Sequence, residues 1–365
     1  MEHVLQHFIQ QVQDAASGKT ALRIRGGGSK DWYGQAVAGA VLDTRAYSGI
    51  LGYDPTELVI TARCGTPLAE IEAALAAENQ MLAFEPPHFG PGATIGGVFA
   101  SGLSGPRRAA AGAVRDFALG AVLLDGRGEV LRFGGQVMKN VAGYDVSRLL
   151  AGSMGTLGLI LQVSLKVLPQ PFAETTLRFG LDQAQAIARL NAWAGQPLPI
   201  SASAWHDGVL TLRLSGARAA VSAAQHKLGG EPVADKDAER FWNALREQSA
   251  DFFADTDSGV DQKQAALWRL SVPGVSPPLL EDYGQLIEWG GAQRWLKTDA
   301  SASTAATVRA AAVRAGGHAT LFRGGDKALG VFQPLAPAID QIHRNLKSAF
   351  DPDAIFNPGR MFGHL

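Results

Sequence analysis

The sequence predicts a two-domain chain of mixed helix and sheet, α+β overall, with its ligand-binding part in the first half. Three observations predict this. The 365 residues exceed what one hydrophobic core ordinarily organises. Helix-like and strand-like patterns alternate along the chain. Glycine is uneven, with 25 of the 43 in residues 1–171 and the other 18 in residues 172–365. Backbone that turns tightly or approaches something closely is therefore concentrated early.

Taken in order, Val4, Leu5, Phe8, Ile9 and Val12 recur at helical spacing and predict an amphipathic first helix. "ALRIR" alternates Leu22 and Ile24 with Arg23 and Arg25 and reads as a strand running into Gly26, Gly27 and Gly28. "ELVITARCG" predicts another strand, after which Thr66 can cap a helix with Pro67 at its first position and Leu68, Ile71 and Leu75 on one face. From Pro86 to Arg108, glycines at 90, 92, 96, 97, 102 and 105 are too dense for a regular element. "FALGAVLLDGRGEVLRFGG" reads as a hairpin turning at Asp125-Gly126. "VSRLLAG" reads as a short helix stopped by Gly152, and "GTLGLILQVSLKVLPQP" as a long strand closed by Pro169 and Pro171. Beyond Phe172 the glycine clusters cease. "DQAQAIARLNAWA" and "ARAAVSAAQHKL" read as helices, "GVLTLRLSG" and "ALWRLSVP" as strands, together an α+β lid.

Composition excludes several classes. The net charge is −1 with no long like-charge block, which argues against a nucleic-acid surface. Cys64 is the one cysteine, so the chain forms no internal disulfide and cannot hold a four-cysteine iron–sulfur cluster by itself. The eight histidines show no HExxH spacing, and no metal site is expected. The N-terminal segment lacks the pattern of a secretion signal, and no apolar run reaches bilayer-spanning length, so a soluble, cytoplasmic protein is expected.

A strand running into glycines gathers backbone N–H groups around an anion, because only glycine lets successive amides converge without a Cβ between them. Two common owners of such a loop fail on spacing. "GGGSK" lacks the GxxxxGK[ST] of a P-loop, and Gly26-x-Gly28 is followed by Asp31 where a dinucleotide-binding GxGxxG needs glycine. "GSMGTLG" at 152–158 fails the same test.

"RGGGS" (25–29), "GATIGGVFASGLSG" (92–105), "KNVAGYDVSRLLAGSMGTLGLILQVSLKVLP" (139–169) and "FDPDAIFNPG" (350–359) resemble the FAD-linked oxidase family, with its vanillyl-alcohol-oxidase or PCMH-type flavin domain. "FGGQVMKNVAGYD" resembles in particular the smaller FAD-binding subunits of glycolate oxidases. The resemblance implies a two-subdomain PCMH-type FAD-binding domain over 1–171. It implies a smaller α+β, ferredoxin-like cap over 172–349 and a tail, 350–365, returning to the flavin domain. It implies that Arg25, Gly26, Gly27, Gly28 and Ser29 hold the FAD pyrophosphate, and that Thr94, Ile95, Gly96 and Gly97 pass the diphosphate and flavin. Ala100, Ser101, Gly102 and Ser104 then follow the ring. Gly152, Ser153, Gly155, Thr156, Leu157 and Gly158 cover the ribityl and adenine side, with Asn357, Pro358 and Gly359 in the returning tail. Lys139, Asn140 and Tyr144 can face the flavin edge, although Tyr144 equally fits a core tyrosine. Relatives that tether flavin covalently carry histidine where this chain has Ser29, so non-covalent FAD is expected.

Oxidising a 2-hydroxy acid needs a cation for the carboxylate and a base for the hydroxyl proton. The family's hydroxy-acid dehydrogenases carry a GDGN-type, His-rich motif in the second domain. The nearest stretch here is "GGHATLFRGG", which keeps His318 but neither the GDGN part nor a second histidine. Arg246 in "FWNALREQ" and Arg269 in "LWRLSVP" are the candidate cations, and each equally fits an ordinary salt bridge. Three functions stay open at this level. One is a catalytic FAD subunit of a glycolate-oxidising complex, with a second flavin subunit and an iron–sulfur subunit passing electrons to quinone. Another is a flavin-binding relay or assembly subunit beside a catalytic sister. The third is an independent oxidase using oxygen. Membrane association, if any, is expected to be peripheral, on the inner face.

Overall fold

The computed structural model describes residues 1–135, 145–254 and 265–365. They form two compact units. The first comprises Met1–Ser104, Gly112–Gln170 and Pro334–Leu365, the second Gly105–Ala111 and Pro171–Gln333.

The first unit opens with α1 (Glu2–Gly18), which buries Phe8, Val12 and Ala15 as its periodicity predicts. Strand β1 (Leu22–Arg25) pairs in parallel with β2 (Ala40–Asp43). Then come β3 (Ile50–Asp54), β4 (Val59–Arg63), α2 (Leu68–Ala77) and β5 (Gln80–Met81). Pro67, not Thr66, occupies the cap position of α2. The Thr66 hydroxyl is used in the preceding turn, donating to Arg63 O and accepting from Gly49 N.

The glycine-dense stretch contains a regular element after all, α3 (Ile95–Ser101). Thr94 caps it through a bond from Gly97 N, and Gly102 closes it in the left-handed conformation. Gly96 is required there by packing, because a Cβ on it would lie 2.6 Å from Cys64 Cβ. Helix α4 (Arg108–Ala111) belongs to the second unit. Strands β6 (Ala118–Leu124) and β7 (Val130–Gly134) form the expected hairpin around Asp125, followed by α5 (Val146–Leu150), β8 (Leu159–Lys166) and β9 (Leu168–Pro169). The main sheet is antiparallel, ordered β3-β4-β8-β6-β7, and β5 pairs with β9.

The second unit contains β10 (Ala173–Gly180), α6 (Gln183–Ala194), β11 (Ile200–His206), β12 (Val209–Gly216), α7 (Arg218–Leu228), β13 (Glu231–Val233), α8 (Asp235–Glu247) and α9 (Asp251–Ala254). After them run β14 (Ala265–Ser271), β15 (Gly284–Glu288), β16 (Gln293–Asp299), α10 (Ala302–Arg314) and β17 (His318–Gly324). All eight strands form one antiparallel sheet, ordered β13-β10-β12-β11-β15-β16-β14-β17. The first four strands, renumbered within their half, lie 4-1-3-2 with a helix after the first and third, the order of a ferredoxin-like βαββαβ unit. The last four lie 2-3-1-4, the same order reversed, and the halves join where β11 pairs with β15. The second half has no helix between β14 and β15. There an irregular segment is held by Arg294, which is fully buried and donates to the carbonyls of Ser276, Pro277 and Gly291. Gln285 Nε2 bonds the carbonyls of Leu279 and Leu280 in the same segment.

Helix α11 (Pro337–Phe350) falls in the first unit, although the sequence reading put residues up to 349 in the cap. Its anchor is Lys347. The Nζ bonds Thr156 O and Phe356 O at 2.8 Å each and Asp351 Oδ2 at 2.6 Å, all buried.

Candidate functional site

In the first unit, β1 delivers the chain into an open cleft with about 650 Å³ of space not filled by protein atoms. Its lining includes Arg25, Gly26, Gly27, Gly28, Ser29, Thr94, Gly97, Ala100, Ser101 and Asn357, all named from the sequence. Why the loop must be glycine is visible in the distances. A Cβ on Gly27 would sit 1.4 Å from Gly92 O, and one on Gly26 would sit 2.5 Å from Thr94 Oγ1. Gly28 has φ +77°. Among the described residues, the N–H groups of Gly26, Gly27, Gly28 and Ser29 donate to no protein acceptor. Four amides without acceptors beside a cleft form a cradle for a phosphate-bearing ligand.

Sequence reasoning missed Arg23, Lys30, Asp31, Tyr33, Met154 and Arg360, which also line the cleft. Arg23 and Arg25 both reach Asp31 Oδ2, at 2.6 and 2.7 Å. Arg360 donates to the carbonyls of Lys30 and Asp31, and its burial pushes its guanidinium below the usual range. The alternation of arginines with apolar residues in "LRIR" pointed to this cationic wall. Arg360 carried no such signal, since only the fold brings the tail to β1.

The returning tail ties the wall together. Asn357 Oδ1 accepts from Ile24 N at 2.9 Å, and its Nδ2 donates to Met154 O at 2.7 Å. Several other named residues lie outside the cleft lining. Ile95 and Gly96 donate inward, to Thr66 O and Cys64 O. Ser104 Oγ accepts from Val114 N, and Gly102 abuts Gly152 behind α3. Gly155, Thr156, Leu157 and Gly158 form the turn into β8, where a Cβ on Gly155 would meet Asn357 Nδ2 at 2.8 Å. Gly359 lies in the tail turn, its N–H bonded to Leu365 O. Ser153 is different. Its Oγ is buried with no hydrogen-bond partner among the described residues, but like the others it does not line the cleft. Lys139, Asn140 and Tyr144 lie outside the described residues. Cys64 is buried under α3, and burial pushes its thiol up to about 12, so it is no reagent.

In the second unit, the three candidate catalytic residues separate into two places. Arg269 on β14 and His318 on β17 are diagonal neighbours on one sheet face, since Ser271 pairs with His318 and Arg269 with Thr320. Arg246 ends α8, which packs on β10 near the opposite edge, and its Nε is 2.8 Å from Glu247 Oε1. His318 starts its strand, and its imidazole is pushed below the usual range by desolvation and by the charges of Arg269 and Arg108.

The acceptor-free loop amides and the cationic wall fit a dinucleotide carrying a diphosphate. Comparison with known proteins agrees. The FAD binding domain family matches residues 5–134. A solved alkyldihydroxyacetonephosphate synthase superposes with a TM-score of 0.66 at 16% identity, over 96% of this chain and 74% of that one, which shows a shared fold. Fold and cleft thus define an FAD-binding protein of the PCMH type. Glycolate oxidase subunit GlcE of Escherichia coli is 48% identical over 360 residues, covering 99% of this chain and 98% of that protein. The chain belongs to the family of that subunit, among the FAD-linked oxidoreductases. Glycolate oxidase subunit GlcD of Bacillus subtilis is 34% identical, but over only 38% of this chain and 29% of its own length. D-lactate dehydrogenase of Anaerostipes hadrus matches at 34% over 36% of this chain and 28% of its own.

Proposed function

We propose that the chain is the smaller FAD-binding subunit of a glycolate-oxidising complex and takes part in converting a small 2-hydroxy acid to the 2-oxo acid. The observation that carries this reading is the end-to-end likeness to a glycolate oxidase subunit, and the amide cradle supports it. FAD, when bound, supplies a two-electron acceptor for hydride. The residues of this chain then have separable tasks. The loop 25–29 and the arginines around it hold the cofactor's diphosphate. Arg269 pairs with the substrate carboxylate, and His318, whose surroundings favour its neutral form, takes the hydroxyl proton on an imidazole nitrogen. With one cysteine, the chain passes its electrons to a partner, for which an iron–sulfur subunit leading to quinone is the natural chemistry, beside a second flavin subunit. Such a complex works in the cytoplasm, at most peripherally on the inner membrane face. FAD sits without a covalent tether, because Ser29 stands at the tethering position.

A second reading has one observation in its favour. The stretch around His318 lacks the remainder of the dehydrogenase motif, which fits a relay or assembly subunit beside a catalytic sister. One preparation separates the two. The FAD-loaded chain, alone and co-purified with its partners, is mixed with glycolate without oxygen while flavin absorbance is followed. Bleaching of the chain alone establishes catalysis here, and bleaching only in the complex favours the relay. Absence of bleaching in both refutes a glycolate-oxidising role. Acid precipitation of the same sample releases all the flavin to solution if it is untethered; colour retained in the pellet would refute that point.

A further inference from the structure

Sheet faces that pack in a core are apolar at alternate positions. On β14, the face that meets α10 obeys this, with Ala266, Trp268, Leu270 and Val272 against Ala305, Val308 and Ala312. The opposite face breaks the pattern in one row. Glu288, Gln293, Ser271 and His318 are direct cross-strand partners in succession, on β15, β16, β14 and β17. The neighbouring row runs Leu286, Trp295, Arg269 and Thr320. Directly opposed Cβ atoms lie about 5 Å apart and diagonal ones about 7 Å, so Arg269 is within side-chain reach of Ser271's partners.

One end of the polar row is internally satisfied. Glu288 Oε2 accepts from Gln293 Nε2 at 3.0 Å and from Trp295 Nε1 at 2.7 Å, all buried. The other end carries Ser271 and His318. Arg108 reaches this face from α4. Its guanidinium lies 4.5 Å over the ring of Trp289, the residue after Glu288. Two anchors set that position. Trp289 Nε1 donates to Gly105 O, and the neighbouring Arg107 is bound to Ser215 Oγ at 2.9 Å and Glu174 Oε1 at 2.5 Å. The rows thus carry Arg269 beside the Ser271–His318 end, and Arg108 stacks on the residue that follows Glu288. Desolvation pushes the His318 imidazole below its usual range, and the charges of Arg269 and then Arg108 push it the same way.

We propose that Arg108 and Arg269 jointly bind the carboxylate of a small 2-hydroxy acid on this face of the second unit, with Ser271 and His318 receiving its hydroxyl end. This rests on the function read above and adds Arg108, a substrate-binding residue outside every sequence motif. A guanidinium stacked on an indole is pre-oriented, so binding a carboxylate through it costs little side-chain entropy.

Oxalate is the probe, since it carries the carboxylate but has no C–H to lose as hydride. Its binding to the FAD-loaded full chain is measured by calorimetry. Arg108→Met and Arg269→Met each weaken oxalate at least about tenfold, the loss of one charge-assisted bond. Arg108→Lys falls between Arg108→Met and the unaltered chain, and the exposed Arg240→Met behaves as unaltered. FAD content and the melting transition of each variant report folding, and recovery in Arg108→Lys distinguishes lost charge from lost structure. Absence of oxalate binding to the unaltered chain, or unchanged affinity in both methionine variants, overturns the site. The two levels fail separately. If glycolate bleaches the flavin but neither arginine affects glycolate or oxalate binding, this site is wrong and the function stands. If oxalate follows the arginines while no 2-hydroxy acid bleaches the flavin in chain or complex, the site stands and the catalytic function falls.

Discussion

In the proposed cofactor site, single residues decide whether FAD can be held. Gly27 is the most constrained of them, because its missing side chain leaves room for the carbonyl of Gly92. Gly27→Val must push the two loops apart and scatter the four amides that face the cleft. FAD occupancy of the purified variant, read as flavin absorbance per protein, should fall to a small fraction of the unaltered chain. Occupancy unchanged in Gly27→Val would mean the cradle lies elsewhere. The loop was legible in the sequence because three adjacent glycines have few other uses, and the failed P-loop and dinucleotide spacings narrowed the owner. Arg360 was not legible. Its position in the cleft depends on Asn357 bonding both Ile24 and Met154, contacts between parts of the chain more than 200 positions apart that no local pattern encodes. Arg108 was hidden for the same reason, since its partner Trp289 is remote in sequence.

At the level of elements, period and turn chemistry gave several helices and strands in order, including the Asp125 hairpin and the helix capped by Asp182. The misses share one cause, tertiary contact overriding local preference. Glycine is a poor helix residue, yet α3 holds Gly96 and Gly97 because Gly96 lies against the Cys64 backbone. The resemblance implied one ferredoxin-like unit here; its doubling in the second unit was hidden, since the second half replaces its first helix with an irregular segment. That segment depends on Arg294. Burial pushes this guanidinium down to about 10, but it is spent on three carbonyls that would otherwise lack donors. Arg294→Met removes the donors and keeps the volume. With bonds to a charged donor worth roughly 1.5–3 kcal/mol each, the loss should be on the order of 3 kcal/mol or more. Chemical denaturation checks it, and a change below about 1 kcal/mol would show that the segment holds itself.

For the whole molecule, the division into units follows which side chains are buried together, not chain order. Gly105–Ala111 joins the second unit through Arg107 and Glu174, whereas Pro334–Leu365 joins the first through Lys347 on Thr156 O and Asn357 on Ile24 and Met154. Among the described residues, no helix is long and apolar enough to cross a membrane. The Lys347–Asp351 pair is therefore a test of the division itself. Both side chains are buried, at 6% and 1% exposure, and Lys347 also holds the carbonyls of Thr156 and Phe356 beside the cofactor cleft. Lys347→Met leaves the Asp351 carboxylate buried without its cation, which costs about 3–5 kcal/mol. Against a total stability of about 5–15 kcal/mol, that is a large share. Calorimetric melting should show the transition that releases FAD moving to lower temperature while the transition of the second unit stays in place. Arg294→Met should do the reverse. If both variants instead lower one common transition by similar amounts, the two units melt as a single cooperative block, and the tail's role is shared across the chain instead of confined to the flavin unit.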